Sequence, residues 1–194
     1  MNEVLFFIFD NMTDYEITFA MHMLNTEGNK KIITIAYENE MITGRSGALY
    51  KPHRLVNDSK NIDADALIIC GGWYGDFRQE LNDLINTIDK KNGLLGGICG
   101  AGTYMLAKSG VLDKNSYTTP IVDWTEKHHE VFGPVDPFER NNYVNENVVR
   151  SGNVITSLGH TFIEFTAEIL EWSNLLSNNT EKNDFLDYMR IRTR

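Results

Sequence analysis

Cys99 is the residue whose neighbours best equip it for chemistry. It lies in Leu94–Gly110, LLGGICGAGTYMLAKSG, after a short apolar run and before the helix-forming residues Tyr104–Lys108. Glycines at 96, 97, 100 and 102 surround it. A strand that turns sharply into a helix needs small residues at the bend, where φ is unusual and backbones approach closely. The apex residue then holds its side chain out at the strand end. G-x-C-x-A is the nucleophile-elbow pattern G-x-S-x-G with a thiol in place of the hydroxyl. A thiol beside a helix N-terminus also feels the positive end of the helix dipole, which favours thiolate. The competing reading is a tight turn around a buried, inert cysteine.

The elements that position this residue follow from the apolar patterning. Val4–Phe9 is a continuous apolar run, as expected for a strand buried on both faces. A helix from about Asp14 places Ile17, Ala20, Met21 and Leu24 on one face and stops at Gly28. Lys31–Tyr37 is a second strand, so the chain opens β-α-β, which implies a parallel sheet and a right-handed crossover. Met41–Asp58 has no helical period; Gly44, Gly47 and Leu49–Arg54 predict a short hairpin or an edge excursion. Asp65–Cys70 is another buried strand, ending in Gly71–Gly72. The helix Phe77–Asn92 is strongly periodic, with Asp76 and Gln79 as a capping-box-like pair and Gly93 as its stop.

After the cysteine strand and helix, Tyr117–Thr119 reads as a short strand and Asp123–Phe132 as a surface helix. Pro134 and Pro137 mark a loop. Asn142–Asn145, Val148–Ser151 and Val154–Ser157 read as short strands between Asn-Glu-Asn and Ser-Gly-Asn turns. Thr161–Leu176 is the last long helix. These elements predict one α/β domain over 1–177, a flavodoxin-like three-layer sandwich with a mostly parallel sheet, followed by a polar tail or short helix at 178–194.

In such sheets chemistry sits beyond the carboxyl ends of the strands. Asp10–Glu16, Gly71–Trp73, Cys99–Ala101, Thr118–Pro120 and Leu158–Thr161 should therefore converge on one crevice, with the thiol at its middle. The N–H groups of Gly72 and Gly100 can form an oxyanion hole there. A plain strand-to-helix turn explains Gly71–Gly72 equally well. Trp73 and Tyr74 can wall the pocket, or simply pack.

Together these segments resemble the ThiJ/PfpI family, relatives of the class I glutamine amidotransferases. The matching pieces are Asp14–Glu16 (DYE), Ile68–Trp73 (IICGGW), Gly96–Ala107 (GGICGAGTYMLA), Ser109–Asp113 (SGVLD), Tyr117–Pro120 (YTTP) and Val154–Gly159 (VITSLG). The resemblance implies that Cys99 matches the family nucleophile and Glu16 the acidic residue bonded to it. It also implies that Gly72 and Gly100 match the oxyanion-hole positions, and that the protein is a homodimer. Thr13-x-x-Glu16 is also a capping box, the alternative role for Glu16. Many relatives carry a histidine twenty positions after the cysteine, where this chain has Thr119. A hydroxyl cannot act as a general base near neutral pH as imidazole can.

His160 directly follows the Val154–Gly159 strand, where the glutamine amidotransferases place their catalytic histidine, although Thr161-x-x-Glu164 reads more simply as a capping box. His128 and His129 fall on a polar helix; His22 and His53 carry no signal. Five scattered histidines and two separated cysteines give no metal-ligand spacing, and no cofactor is expected. The net charge of −9 without a basic cluster argues against a nucleic-acid partner. No apolar run is long enough for a membrane, and Asn2–Glu3 precedes only a short strand. Two cysteines make no disulfide framework and fit a reducing cytoplasm.

Two functions stay open. One is a cysteine-dependent hydrolase, amidase or glyoxalase-type enzyme acting on a small carbonyl or amide substrate. The other is a non-catalytic redox or stress protein whose Cys99 is oxidised to sulfinate.

Overall fold

The computed structural model describes residues 3–59 and 63–190, so Asn2 and the last four residues of the expected tail lie outside the described residues. The apolar runs become strands where expected. The first unit is β1 (Glu3–Phe7), α1 (Tyr15–Thr26) and β2 (Lys31–Ala36). The stretch without helical period forms a small hairpin, β3 (Ile42–Thr43) and β4 (Leu49–Tyr50), then an edge strand, β5 (Arg54–Leu55). Next come β6 (Ala66–Ile69), α2 (Gln79–Lys90), β7 (Leu94–Ile98) and α3 (Cys99–Lys108). The chain continues with α4 (Glu126–Phe132), β8 (Val148–Ser151), β9 (Val154–Ser157) and α5 (Phe162–Trp172). It closes with α6 (Asn179–Arg190).

The main sheet runs β5-β2-β1-β6-β7-β9-β8. Every neighbouring pair is parallel except β8 with β9. Gly96 and Gly97 show how the layers stack. A Cβ on Gly96 would meet Phe165 of α5, whereas one on Gly97 would lie 2.6 Å from the Gly102 carbonyl of α3. Successive strand residues point to opposite faces, so α5 and α3 cover opposite sides of the sheet. The result is the expected flavodoxin-like three-layer sandwich. The close approach of Gly97 and Gly102 also sets the angle at which α3 leaves β7.

Several local expectations are corrected. Asp76 does not cap α2: the helix begins at Gln79, its N-cap Arg78 is extended, and Asp76 bonds the Arg78 guanidinium at 3.0 Å. The Gln79 amide turns to Asp83 instead (2.7 Å). Thr161 and Glu164 form no capping box, because Thr161 Oγ1 bonds the Leu158 and Asn147 carbonyls and Glu164 pairs with Arg190. Asn142–Asn145 and Tyr117–Thr119 are not strands; they touch through a single parallel bridge, Tyr117 to Tyr143. Of the two forms expected for 178–194, polar tail or short helix, the described residues take the second, α6, which lies on α5 through Lys182 to Glu168 and Glu171.

Candidate active site

Cys99 is the first residue of α3, directly after β7, and its φ is +60°. The other non-glycine residues with positive φ among the described ones are all asparagines, at 11, 29, 92 and 174. Asparagine tolerates this region and cysteine does not favour it. The thiol therefore stands on a strained elbow, held by what packs around it. Thr103 supplies part of that hold. Its hydroxyl donates to the Cys99 carbonyl at 2.5 Å and lies 2.8 Å from Thr119 Oγ1. With the Thr103 proton on that carbonyl, Thr119 donates to Thr103 and accepts from the Ile121 N–H (3.2 Å). Both threonines are fully buried. The hydroxyl at position 119 is spent on tying the Pro120 loop to the elbow.

Glu16 is in the first turn of α1 but does not cap it. The N-cap is Asp14, and Glu16 is 1 % exposed with Oε2 lacking any hydrogen-bond partner. Its carboxyl fills the space that side chains at Gly71 and Gly159 would take, and the Cys99 sulfur lies beside it. Burial raises the Glu16 pKa to about 7, against the thiol and the Gly71 N–H, which lower it. Burial also pushes Cys99 up to about 11, reinforced by the Glu16 charge, against the Gly100 and Gly72 N–H groups. The dipole effect expected at this helix end is thus outweighed by desolvation and by a neighbouring acid. Two acids in contact titrate jointly: the pair gives up one proton near neutrality and holds the second far longer.

Two cavities meet at the sulfur. The larger, about 400 Å³, is lined by Tyr15, Glu16, Thr119, Asn145 and His160 besides Cys99. The smaller, about 220 Å³, is lined by Arg45, Gly72, Trp73, Gly100 and His128. The structure thus gathers the expected site residues around Cys99 but divides them between two chambers. His160 is exposed, and no hydrogen bond among the described residues orients its ring. Trp73, 49 % exposed, is a wall whose ring lies 5.3 Å from that of His128. Gly72 has φ +145°, and its carbonyl accepts from the Ala101 N–H (3.1 Å), which stitches the end of β6 to α3.

The sequence reading missed Arg45 and gave His128 only a place on a polar helix. His128 Nδ1 accepts from the Thr125 N–H (3.0 Å), which leaves the ring proton on Nε2. Arg45 comes from the β3–β4 turn. Asp14 is 3 % exposed and binds that turn through both Ser46 and Tyr50. Only the turn signal at Gly44 and Gly47 hinted at Arg45, and nothing local linked it to Cys99. Among the described residues no cluster of three or more His, Cys, Asp or Glu could hold a metal. No helix among them is long and apolar enough to cross a membrane.

Parallel sheet, covering helices and a cysteine at the strand-to-helix turn define the class: α/β sandwich proteins with a thiol at the strand-to-helix elbow. A family model described as the DJ-1/PfpI family matches residues 2–172, and the chain belongs to that family. It is 28 % identical over 173 residues to YdeA of Bacillus subtilis, named an uncharacterized protease, covering 88 % of this chain and 83 % of that one. It is 30 % identical over 149 residues to the glutathione-independent glyoxalase DJR-1.2 of Caenorhabditis elegans, covering 74 % of each. Among solved structures, a DJ-1 superfamily protein of Agrobacterium tumefaciens superposes with a TM-score of 0.79 at 20 % identity, over 97 % of both chains.

Proposed function

We propose that the protein is a cysteine-dependent enzyme of hydrolase, amidase or glyoxalase type, acting on a small carbonyl or amide compound. The observation that carries this reading is Glu16: a buried carboxyl with an unpartnered oxygen and a pKa of about 7, set against a thiol on a strained elbow. A group that titrates near the working pH both takes and returns protons efficiently. As Sγ attacks a carbonyl carbon, the thiol proton passes to the Glu16 carboxylate and the C=O electron pair moves onto oxygen. The N–H groups of Gly72 and Gly100 are the donors for that oxygen. Glu16 then returns the proton, so the step needs no imidazole at position 119. His160 is the further proton carrier on the larger cavity's side. Relatives named protease and glyoxalase fit the same chemistry, and the cavity sizes favour small compounds.

The test is a panel of methylglyoxal, glutamine, simple amides and peptides offered to the wild type and to Cys99→Ala. Turnover of one class by the wild type, abolished in the variant, supports the enzyme. One observation favours the second reading: the buried threonine pair leaves the thiol without a histidine partner on that side. A non-catalytic redox protein would instead turn over nothing in the panel. A peroxide would convert its Cys99 stoichiometrically to sulfinate, which the protonated Glu16 would stabilise. A homodimer in a reducing cytoplasm completes the proposal. Light scattering giving a monomer mass at micromolar concentration would count against the dimer.

A further inference from the structure

Arg45 is set apart from the other arginines among the described residues. Arg54, Arg78, Arg140, Arg150 and Arg190 each pair with a carboxylate. The Arg45 guanidinium makes neither ion pair nor hydrogen bond among the described residues, in a chain of net charge −9 where carboxylates abound. Its backbone, by contrast, is firmly held. Arg45 N–H donates to the Met12 carbonyl (2.9 Å), Gly44 N–H to Ala48 (2.8 Å), and Ser46 binds Asp14 through backbone and hydroxyl. The turn is fastened to the entry of α1, and Arg45 is exposed there on the lining of the smaller cavity.

That cavity has no aspartate or glutamate in its lining. The lining residues with polar side chains are Thr13, Arg45, Trp73, Cys99 and His128, and Gly72 and Gly100 lie beside them. Of the two nearby buried acids, Glu16 lines the other chamber and Asp14 is taken up by Ser46 and Tyr50. A volume of about 220 Å³ is that of about seven waters, enough for a short organic acid beside the sulfur. A guanidinium is shaped for two parallel hydrogen bonds to a carboxylate.

We propose that the smaller cavity selects electrophiles that carry a carboxylate, with Arg45 as the specificity-determining residue and small 2-oxo or aldehyde acids as the substrate class. The inference rests on Cys99 being the nucleophile and deepens that reading. Arg45 takes the carboxylate and the reactive carbon meets Sγ. A C–S bond forms, the carbonyl π pair moves to oxygen beside the Gly72 and Gly100 amides, and the thiol proton goes to Glu16.

Iodoacetate and iodoacetamide test this, because they share size and leaving group and differ in charge. The full-length chain is alkylated with each at one pH, and the rate at Cys99 is followed by mass. Any change in thiol ionisation affects both reagents alike and cancels in their ratio. The iodoacetate-to-iodoacetamide ratio should fall about tenfold in Arg45→Gln, recover in part in Arg45→Lys, and decline with added salt in the wild type. Fast iodoacetamide labelling with the same ratio in wild type and Arg45→Gln overturns the carboxylate reading alone. Failure of both reagents to modify Cys99 in any variant overturns the nucleophile reading, and this inference with it.

Discussion

The ends of β6 and β7 lie side by side in the sheet, and each hands the chain to a cysteine. Ile69 pairs with Gly97, so Cys70 sits one step before the level of Cys99. Both thiols follow apolar strands and both precede glycine. Cys70 is completely buried, donates weakly to the Thr13 carbonyl (3.5 Å), and burial holds its pKa well above the ordinary value. Cys99 opens onto two cavities from a backbone at φ +60°. What separates them is the next residue's conformation. Helix α3 starts at Cys99 itself, whereas after Cys70 the chain bends at Gly72–Trp73 and no helix begins until α2 at Gln79. A strand end is a site when the turn is sharp enough to throw its last side chain outward.

The largest effect expected from this contrast is in alkylation. Cys70 reacts only after the core opens, so Cys99 should be modified faster by about a thousandfold, read by mass mapping. Preferential labelling of Cys70 would break the comparison. The next concerns stability. The Glu16 pKa is raised from 4.5 to about 7 in the fold. The folded chain therefore binds that proton more tightly than the unfolded one. This contribution is fully present below pH 4.5 and is lost as pH rises through 7. Relative to Glu16→Gln, wild-type stability should fall by about 3 kcal/mol across that window in urea titrations. A flat difference would show that Glu16 is not desolvated.

Thiolate absorbance against pH sharpens the contrast further. Glu16→Gln keeps a hydrogen-bond donor and removes the negative charge, so Cys99 should ionise at lower pH than in wild type. Glu16→Leu leaves only desolvation, and its curve should lie at least about one pH unit above that of Glu16→Gln. Coincident curves for all three proteins would reduce Glu16 to a spectator. The smallest effect is at Asp14, whose charge acts on Cys70. Burial works to raise its pKa, but the Ser46 and Tyr50 hydrogen bonds prevail and lower it. Its stabilisation is present above the ordinary pKa of 3.8 and lost as pH falls. Asp14→Asn should cost about 1 kcal/mol at neutral pH by urea unfolding. An unaltered midpoint would remove Asp14 as the anchor of the β3–β4 turn.

The sheet was legible in the sequence because its strands are uniform apolar runs and its helices keep strict periodicity. The elbow was legible because its glycines are consecutive with Cys99. Glu16 was ambiguous for a physical reason: a first-turn glutamate three residues after a threonine satisfies a capping pattern and a site equally well. Only the glycines at 71 and 159, which leave room for its carboxyl, decide between them. Arg45 and His128 were illegible as neighbours of the thiol, since one arrives from the β3–β4 turn and the other from α4 by tertiary packing. Capping boxes were overread at Asp76 and Thr161. There an ion pair with Arg78 and bonds to the Leu158 and Asn147 carbonyls outcompeted the local geometry.

The C-terminal helix α6 has no fully buried residue. Phe185 stacks on Phe19 (6.3 Å between centroids), Leu186 and Met189 are half-buried, and a large part of the hold is ionic: Lys182 between Glu168 and Glu171, and Arg190 on Glu164. Mobile ions weaken such pairs far more than they weaken an apolar core. In a hydrogen-exchange experiment the amides of α6 should therefore lose protection first, and earlier still in concentrated sodium chloride. Those of β1, β6 and β7 should exchange only through global unfolding. The chain then has a soft end whose attachment is set by ionic strength while the elbow keeps its shape.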